Sequence, residues 1–181
     1  MSRDLLIIDV QNECLPAGAL PITHQAGHLE HIFTAMDAAA GRVPTVDVQH
    51  HSPNLDKLFS QKKTPGWELH PEVTGRPLGK SMEKSCPRNS TGTTLDEWRK
   101  KRDADTVSIA DYMSHMCYDT TVRQKVRPGY NVEFLRDATG TLRLANDSGE
   151  IIAEKMQRSI LRSRQTLLSE VLDVKSRTEK I

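Results

Sequence analysis

The chain has 181 residues, and 25 Lys and Arg side chains nearly balance 24 Asp and Glu, which leaves a formal net charge of +1. This length suits one domain over residues 1–181, and the near-zero charge excludes a global field that would attract nucleic acid or an anionic membrane surface. No apolar run approaches the roughly 20 residues that span a bilayer, and the first residues lead straight into a short strand, so we expect a cytoplasmic protein.

The composition also predicts reduced thiols and a lean core. Three cysteines, Cys14, Cys86 and Cys117, are too few and too unevenly spaced for a disulfide framework or a zinc motif. Hydrophobic residues make up 36% of the chain and aromatic residues 4%, which is low for a globular domain. Burial at a subunit interface would help to complete such a core, which favours oligomerisation.

The first fifty residues predict a β-α-β unit. Residues 5–8 form a continuous apolar run before a polar turn, which is typical of a parallel strand buried on both faces. From about residue 23 to residue 40, apolar side chains recur at spacings of three and four, which predicts an amphipathic helix that ends at Gly41. Residues 43–49 then predict a second strand.

A long polar segment at 52–78 follows this unit. It is rich in turn-forming Pro, Gly and Asn and contains one Trp, Trp67. A loop of this length inside a compact domain is more often functional than idle, so we expect it to be a lid or an interface.

Strands and helices alternate through the second half of the chain. We predict a weak strand at 80–83, a helix at 94–101, a strand at 107–110, a helix from about Cys117 to 126, and a strand at 131–135. A long C-terminal helix follows, with Asp147 and Ser148 as candidate caps, and then a short apolar piece at 171–172 and a frayed end at 175–181. This alternation predicts an α/β fold, a three-layer α-β-α sandwich whose mostly parallel, doubly wound, Rossmann-like sheet has about five or six strands.

Cys117 is the candidate nucleophile. It lies at a predicted strand-to-helix turn, where unpaired N–H groups and the positive end of the helix dipole ease the ionisation of a thiol and can hold an oxyanion. The alternative is a small buried hydrophobic residue, which is the common role of a free cysteine. Ligands of doubly wound sheets bind beyond the carboxyl ends of the strands near a switch in strand order, so we expect Asp9 and Cys117 to face one another.

Several short motifs occur in order along nearly the whole chain. They are Ile7 to Asn12, Val48 to His50, Glu83 to Pro87, Thr91 to Thr93, Tyr112 to Thr121 and Asp137 to Thr139. In this order and spacing the chain resembles the isochorismatase-like cysteine hydrolase family, which includes nicotinamidases and other small-amide hydrolases. The most specific parts are the motif around Asp9 and the run from Tyr112 to Thr121.

The resemblance implies a catalytic triad of Asp9, Lys84 and Cys117. Asp9 would take the thiol proton, Lys84 would stabilise the thiolate, and Cys117 would attack an amide carbonyl to form a thioester. The oxyanion hole would consist of the backbone N–H groups of Met113 and Cys117, with a cis peptide bond between Tyr112 and Met113. The resemblance also implies a homodimer or homotetramer that acts on a small amide without a cofactor.

Four further residues are candidates for substrate contact: His50, Trp67, Tyr112 and His115. His115 has the alternative of a loop histidine satisfied by the backbone, and Trp67 that of packing against a neighbouring subunit. His50 and His51 do not predict a metal site, because adjacent side chains on a strand point to opposite faces and a third ligand is missing from the motif.

The chain departs from the family pattern at two places. Ser90 replaces an aromatic residue before Thr91, and Asp111 replaces a small residue, typically glycine, before the expected cis bond. We expect the Asp111 carboxylate to be solvated or paired, and to oppose thiolate formation if its charge faces the cleft. These two departures favour the alternative of a catalytically silent binding or scaffold protein. A separate alternative is a thiol redox protein in which Cys86 resolves oxidised Cys117.

Overall fold

The computed structural model describes residues 2–23, 26–53, 60–85, 102–118, 131–167 and 169–181. The predicted helix at 94–101 and most of the predicted helix from Cys117 to 126 lie outside the described residues. Ser90 and Cys86 lie outside them as well, so the predictions about a missing pocket wall and a resolving thiol stay predictions.

Six parallel strands form the central sheet, in the order β3-β2-β1-β4-β5-β8. Two further strands, β6 and β7, form a separate antiparallel hairpin. The eight strands found in the described residues are β1 (Arg3–Ile8), β2 (Thr45–His50), β3 (Lys80–Lys84), β4 (Thr106–Tyr112), β5 (Asn131–Gly140), β6 (Leu144–Asn146), β7 (Gly149–Ile151) and β8 (Glu170–Leu172). The strand order reverses between β1 and β4, so a crevice is expected beyond the carboxyl ends of these two strands.

Helices cover both faces of the sheet. They are α1 (His28–Ala39), α2 (Pro71–Thr74), α3 (Ala153–Leu167) and α4 (Val174–Thr178). Because side chains alternate along a strand, Leu5 and Ile7 of β1 pack in one apolar cluster with α1 and α4, while Leu6 and Ile8 pack in the other, with α3. The predicted three-layer α-β-α fold with a parallel sheet is confirmed. No helix in the described part of the chain is both long and apolar enough to cross a bilayer.

The predicted frayed end is wrong. Val174 is buried against α1, and Arg177 has 0% of its surface exposed. Arg177 Nε donates to Ser108 Oγ at 3.2 Å, and Ser108 Oγ donates to Glu133 Oε2 at 2.6 Å. The last helix is held by the sheet because its buried face carries a cation whose partners lie on β4 and β5.

The predicted helix caps are also wrong. Asp147 and Ser148 form the turn of the hairpin between β6 and β7, and α3 begins at Ala153. The Ser148 N–H donates to Asn146 Oδ1 at 2.8 Å, and Gly149 has a φ of 117°. These polar residues therefore stabilise a tight turn and do not cap the N-terminus of a helix.

Candidate active site

Asp9 follows β1 at the point where the strand order switches. Its φ is 56°, a left-handed conformation that Asp adopts more readily than most residues. The Asp9 N–H donates to the Val48 carbonyl of β2 at 2.8 Å, and the Asp9 carbonyl accepts from Gln11 N–H at 2.8 Å. These bonds fix the turn that holds the carboxylate at the carboxyl end of the sheet.

Lys84, the last residue of β3, reaches Asp9 across β2. Its Nζ lies 2.7 Å from Asp9 Oδ2, and the two side chains are only 4% and 9% exposed. In register, Lys84 is opposite His50, and its carbonyl accepts from the His51 N–H at 2.8 Å. The result is a buried ion pair between the ends of two different strands.

Cys117 completes the cluster from a third strand. It lies in the single helical turn Ser114–Tyr118, one residue beyond β4, and it is buried. Its thiol makes a side-chain hydrogen bond with Asp9, and the charge of Lys84 acts on it. The structure thus brings together the three residues that the sequence placed in the triad.

The electrostatics of the cluster favour a protonated thiol. Burial raises the pKa of Cys117, the negative charge of Asp9 raises it further, and Lys84 opposes them; Asp111 would add to the rise whenever it is ionised. The expectation of an easily ionised thiol is therefore wrong for the resting site, because desolvation outweighs the effect of the turn. Burial lowers the pKa of Lys84, but its acidic neighbours, led by Asp9, more than compensate and raise it above the ordinary value.

The turn that carries Cys117 is attached firmly to β5. The peptide bond between Tyr112 and Met113 is cis, as the resemblance predicts. Ser114 Oγ donates to the Gly140 carbonyl at 2.9 Å and lies 2.9 Å from Thr139 Oγ1, which donates to the Asp111 carbonyl at 2.8 Å. Both hydroxyl groups are buried, so they help to define the position of Cys117.

A cavity of about 420 Å³ opens in front of Cys117. Its walls are mostly apolar and come from the β1, β2 and β4 ends, the 52–78 segment and the chain after β5. The lining includes Glu13, His50, Tyr112, Met113, His115 and Cys117. Three of the four predicted substrate contacts, His50, Tyr112 and His115, therefore face the same space as the nucleophile.

Trp67 does not line this cavity among the described residues. Its carbonyl accepts from Gln11 Nε2 at 2.7 Å and from Gln49 Nε2 at 2.8 Å. The prediction of substrate contact at Trp67 is corrected accordingly: the residue holds the long segment against β2 through its backbone.

His115 is held by a side chain and not by the backbone. Its Nδ1 lies 2.6 Å from Thr141 Oγ1. Burial lowers the pKa of His115, so the imidazole is neutral at neutral pH. A neutral ring can donate or accept a hydrogen bond on the cavity wall without adding charge.

Several residues of the cavity, among them Gln11 and Glu13, were not predicted from the sequence. Gln11 Oε1 accepts from the His50 N–H at 2.9 Å, and its Nε2 donates to the His50 carbonyl at 3.0 Å. Glu13 accepts from the N–H and the hydroxyl of Ser60, both at 2.6 Å. The polar run Gln11-Asn12-Glu13 directly after a fully buried strand was the available signal, because such residues stand at the carboxyl edge of a parallel sheet.

Asp111 is neither solvated nor paired, contrary to expectation. Its side chain is completely buried, and burial, followed by the nearby charge of Asp9, raises its pKa well above the ordinary value. No described residue forms a hydrogen bond with either carboxylate oxygen.

The fold and the site define a class: proteins with a three-layer α-β-α fold that carry an Asp, a Lys and a Cys at the carboxyl edge of a parallel sheet. An isochorismatase domain model matches residues 4–163, so the chain belongs to the isochorismatase family and is an isochorismatase-like hydrolase. In the described residues, no group of three or more His, Cys, Asp or Glu is arranged to hold a metal ion.

Two relatives show how far the similarity extends. The chain is 29% identical over 157 residues to the uncharacterized isochorismatase family protein YddQ of Bacillus subtilis, covering 85% of this chain and 86% of YddQ. It is 31% identical over 137 residues to the secreted isochorismatase effector Isc1 of Verticillium dahliae, covering 75% of this chain and 71% of Isc1. Since one relative is named as secreted, the cytoplasmic location stays a prediction.

Solved structures agree on the fold. A Burkholderia xenovorans LB400 protein named as an isochorismatase superposes with a TM-score of 0.93 at 37% identity, covering 98% of this chain and 86% of the other. A cysteine hydrolase from Pseudomonas syringae gives a TM-score of 0.88 at 23% identity, covering 98% and 91%. N-carbamoylsarcosine amidase from Thermoplasma acidophilum gives 0.76 at 18% identity, covering 96% and 97%, and shares the fold alone.

Proposed function

We propose that this hydrolase uses Cys117 to cleave a carbon–nitrogen bond of a small amide through a thioester. The observation that carries the proposal is the contact of 2.7 Å between Lys84 Nζ and Asp9 Oδ2, both buried, beside a thiol that hydrogen-bonds to Asp9. The proposed base Asp9, cation Lys84 and nucleophile Cys117 come from the ends of three separate strands. An ion pair with a purely structural role would not require a thiol beside it.

The acylation half begins with proton transfer. Because the resting thiol is protonated, Asp9 accepts the proton as the Cys117 sulfur attacks the amide carbonyl carbon. Lys84 keeps its charge beside the developing thiolate. The tetrahedral intermediate then collapses, the carbon–nitrogen bond breaks, and Asp9 returns the proton to the leaving nitrogen, which departs as ammonia or an amine.

The second half releases the acid. Water attacks the thioester carbonyl, Asp9 takes a proton from that water, and the sulfur leaves with the proton as the thiol. The backbone N–H groups of Met113 and Cys117 are the proposed oxyanion donors in both halves, and both residues line the cavity. No metal or cofactor enters either half.

The cavity favours an uncharged substrate with an apolar portion. The described lining includes three leucines and two methionines, and it contains no Lys or Arg to neutralise a substrate carboxylate. The polar side chains of the described lining include His50, Gln11, Glu13 and the neutral imidazole of His115. Small primary amides with aliphatic or aromatic substituents fit this chemistry.

The first experiment measures ammonia release from a panel of such amides. We expect release by the wild type, none by Cys117→Ala, and a loss of about 100-fold or more in kcat/KM for Lys84→Ala. Lys62→Ala is the matched control, because Lys62 forms an exposed ion pair with Glu83, next to Lys84 in sequence. It should keep the wild-type rate.

Two results would contradict the proposal. Amide hydrolysis that persists in Cys117→Ala would exclude the thioester. Silence over the whole panel, together with a Cys117 that iodoacetamide does not alkylate at any pH at which the protein is folded, would favour the catalytically silent binding protein.

A further inference from the structure

One buried group beside the proposed triad has no part in the reaction derived above. Asp111 has 0% of its surface exposed, and its two carboxylate oxygens have no hydrogen-bond partner among the described residues. Burying a carboxyl group without a partner is unfavourable, so its presence in a central strand calls for an explanation.

The position of Asp111 is set by the sheet. It is opposite Ile8, the last residue of β1, and opposite Thr139 of β5. By strand alternation it shares a face with Val107 and Ile109, which pack in the same apolar cluster as Cys117. The carboxyl group therefore lies under the active site and not on the far side of the sheet.

Four titratable groups in the described residues interact with Asp111. Asp9 follows β1, Cys14 belongs to the short turn after it, Lys84 ends β3, and Cys117 lies beyond β4. On β5 the neighbour is Thr139, which carries no charge. Two buried carboxyl groups thus share one lysine.

One cation can balance only one of these carboxylates. Asp9 holds the contact with Lys84 at 2.7 Å, whereas no ion pair of Asp111 is found among the described residues. Ionising both acids would leave one negative charge buried without a counter-ion, which is strongly unfavourable. The geometry therefore makes Asp9 the counter-ion of Lys84 and leaves Asp111 without one among the described residues.

We propose that Asp111 is a positioning residue that acts as an uncharged acid: it leaves Asp9 as the single carboxylate opposite Lys84, and its ionisation at alkaline pH switches the thiol chemistry off. The inference rests on the proposed function of Asp9, Lys84 and Cys117. When Asp111 ionises, its proton passes to solvent, and the new negative charge opposes the Cys117 thiolate and competes with it for Lys84. The raised pKa of Asp111 agrees with this assignment.

The test compares pH profiles of the wild type and Asp111→Asn, which keeps the shape of the neutral acid but cannot ionise. In the variant, we expect the midpoint of Cys117 alkylation by iodoacetamide to fall by about one pH unit or more. The alkaline loss of amide hydrolysis should move upward by a similar amount. Asp47→Asn is the matched control, because Asp47 is a buried carboxyl on β2 that bonds to Ser81, away from the cavity. It should follow the wild type.

Infrared spectroscopy gives a direct readout of the protonation state. The wild type should show the carbonyl band of a protonated carboxyl group at pH 7, and Asp111→Asn should lose it. If Asp111→Asn folds poorly, Asp111→Gly provides the same two comparisons without a carboxyl group.

The inference fails if the two pH profiles of the variants coincide with those of the wild type, or if no protonated band depends on Asp111. A merely structural role would change stability and leave both profiles in place. If no amide in the panel is hydrolysed, the proposed function fails by itself, and the alkylation midpoint and the infrared band still decide the role of Asp111.

Discussion

At the scale of single residues, Asp111 couples stability to pH. Its pKa in the folded protein is raised above the ordinary value of 3.8 by burial. A group of this kind stabilises the fold fully below its unfolded pKa, and this contribution is lost as the pH rises towards the folded pKa, because the unfolded chain releases the proton first. The window therefore begins near pH 4 and extends upward.

We expect Asp111→Asn to be more stable than the wild type at neutral pH. The gain should grow by about 1.4 kcal/mol per pH unit above pH 4, until Asp111 ionises in the folded protein. Urea unfolding at pH 5, 6, 7 and 8 measures it, with Asp37→Asn as a control. Asp37 is exposed, and its pKa is lowered by the hydrogen bond from Arg76, so its replacement should be destabilising at these pH values. A pH-independent difference between Asp111→Asn and the wild type would contradict this account.

The charges of the other ionisable residues of the site depend on the same two effects, burial and the charges of neighbouring groups. The Cys117 thiol and the Asp111 carboxyl are both driven towards their neutral forms by burial, whereas Lys84 remains charged because of its acidic neighbours. All of these groups are buried, so burial alone does not explain why Lys84 is charged and the others are neutral. The difference comes from the positions of the charged groups around each side chain.

At the scale of elements, the turn that carries Cys117 depends on β5. Ser114 is completely buried, and its hydroxyl satisfies the Gly140 carbonyl. Ser114→Ala should cost about 1–3 kcal/mol in unfolding free energy and lower kcat/KM by about 10- to 100-fold, because the nucleophile is less well positioned. Thermal denaturation and the amide assay measure the two effects.

Ser163→Ala is the matched control for this turn. Ser163 also donates to a carbonyl, that of Ile160, but it is exposed on α3. It should change neither quantity by a measurable amount. Equal effects of the two substitutions would mean that the hydrogen bond of Ser114 does not define the turn.

The long segment at 52–78 is partly an element of the site. Ser52, Pro53 and Ser60 line the cavity, and Ser60 is bound to Glu13 by two hydrogen bonds. The second part of the segment forms α2 and a bridge between Gln11 and Leu69. The first part of the segment therefore supports the prediction of a functional loop. That the segment forms an interface stays a prediction.

At the scale of the whole molecule, α4 joins the end of the described chain to the sheet. Arg177 reaches Ser108 and also donates to the Ala35 carbonyl of α1 at 3.3 Å. Burial lowers the pKa of Arg177 to about 10, so the guanidinium is still charged at neutral pH. Glu133 is the nearby anion and is bound also by Arg3 at 3.2 Å.

Arg177→Ala should therefore destabilise the whole fold, by about 3–5 kcal/mol, because it breaks a buried charge network and leaves a cavity. Lys175→Ala, on the exposed side of the same helix, should stay within about 0.5 kcal/mol of the wild type. Guanidinium unfolding measures both. A small effect at Arg177 would mean that α4 unfolds independently of the sheet.

Local patterns along the chain were sufficient to predict the positions of most strands of the sheet. The apolar run at 5–8 and the strands near 45, 80, 107 and 131 were predicted within a few residues. Such strands can be recognised because the spacing of apolar residues along a short stretch of sequence indicates a buried strand. The hairpin of β6 and β7 was missed, since strands of three residues leave almost no periodic signal. The C-terminal helix α4 was missed because charged residues suggested solvent, whereas Arg177 finds its partners on strands far away in sequence.

The alternation of strands and helices was enough to predict the fold class, because it depends on local patterns of apolar and polar residues. The triad of Asp9, Lys84 and Cys117 was implied by the resemblance of the motifs to a known family. Which of these groups are charged depends on the tertiary fold. The protonation of Cys117, the neutral Asp111 and the wall formed by Glu13 and Ser60 depend on burial and on charges that come from different strands. Desolvation and Coulomb interaction act through space, so no pattern along the chain encodes them directly.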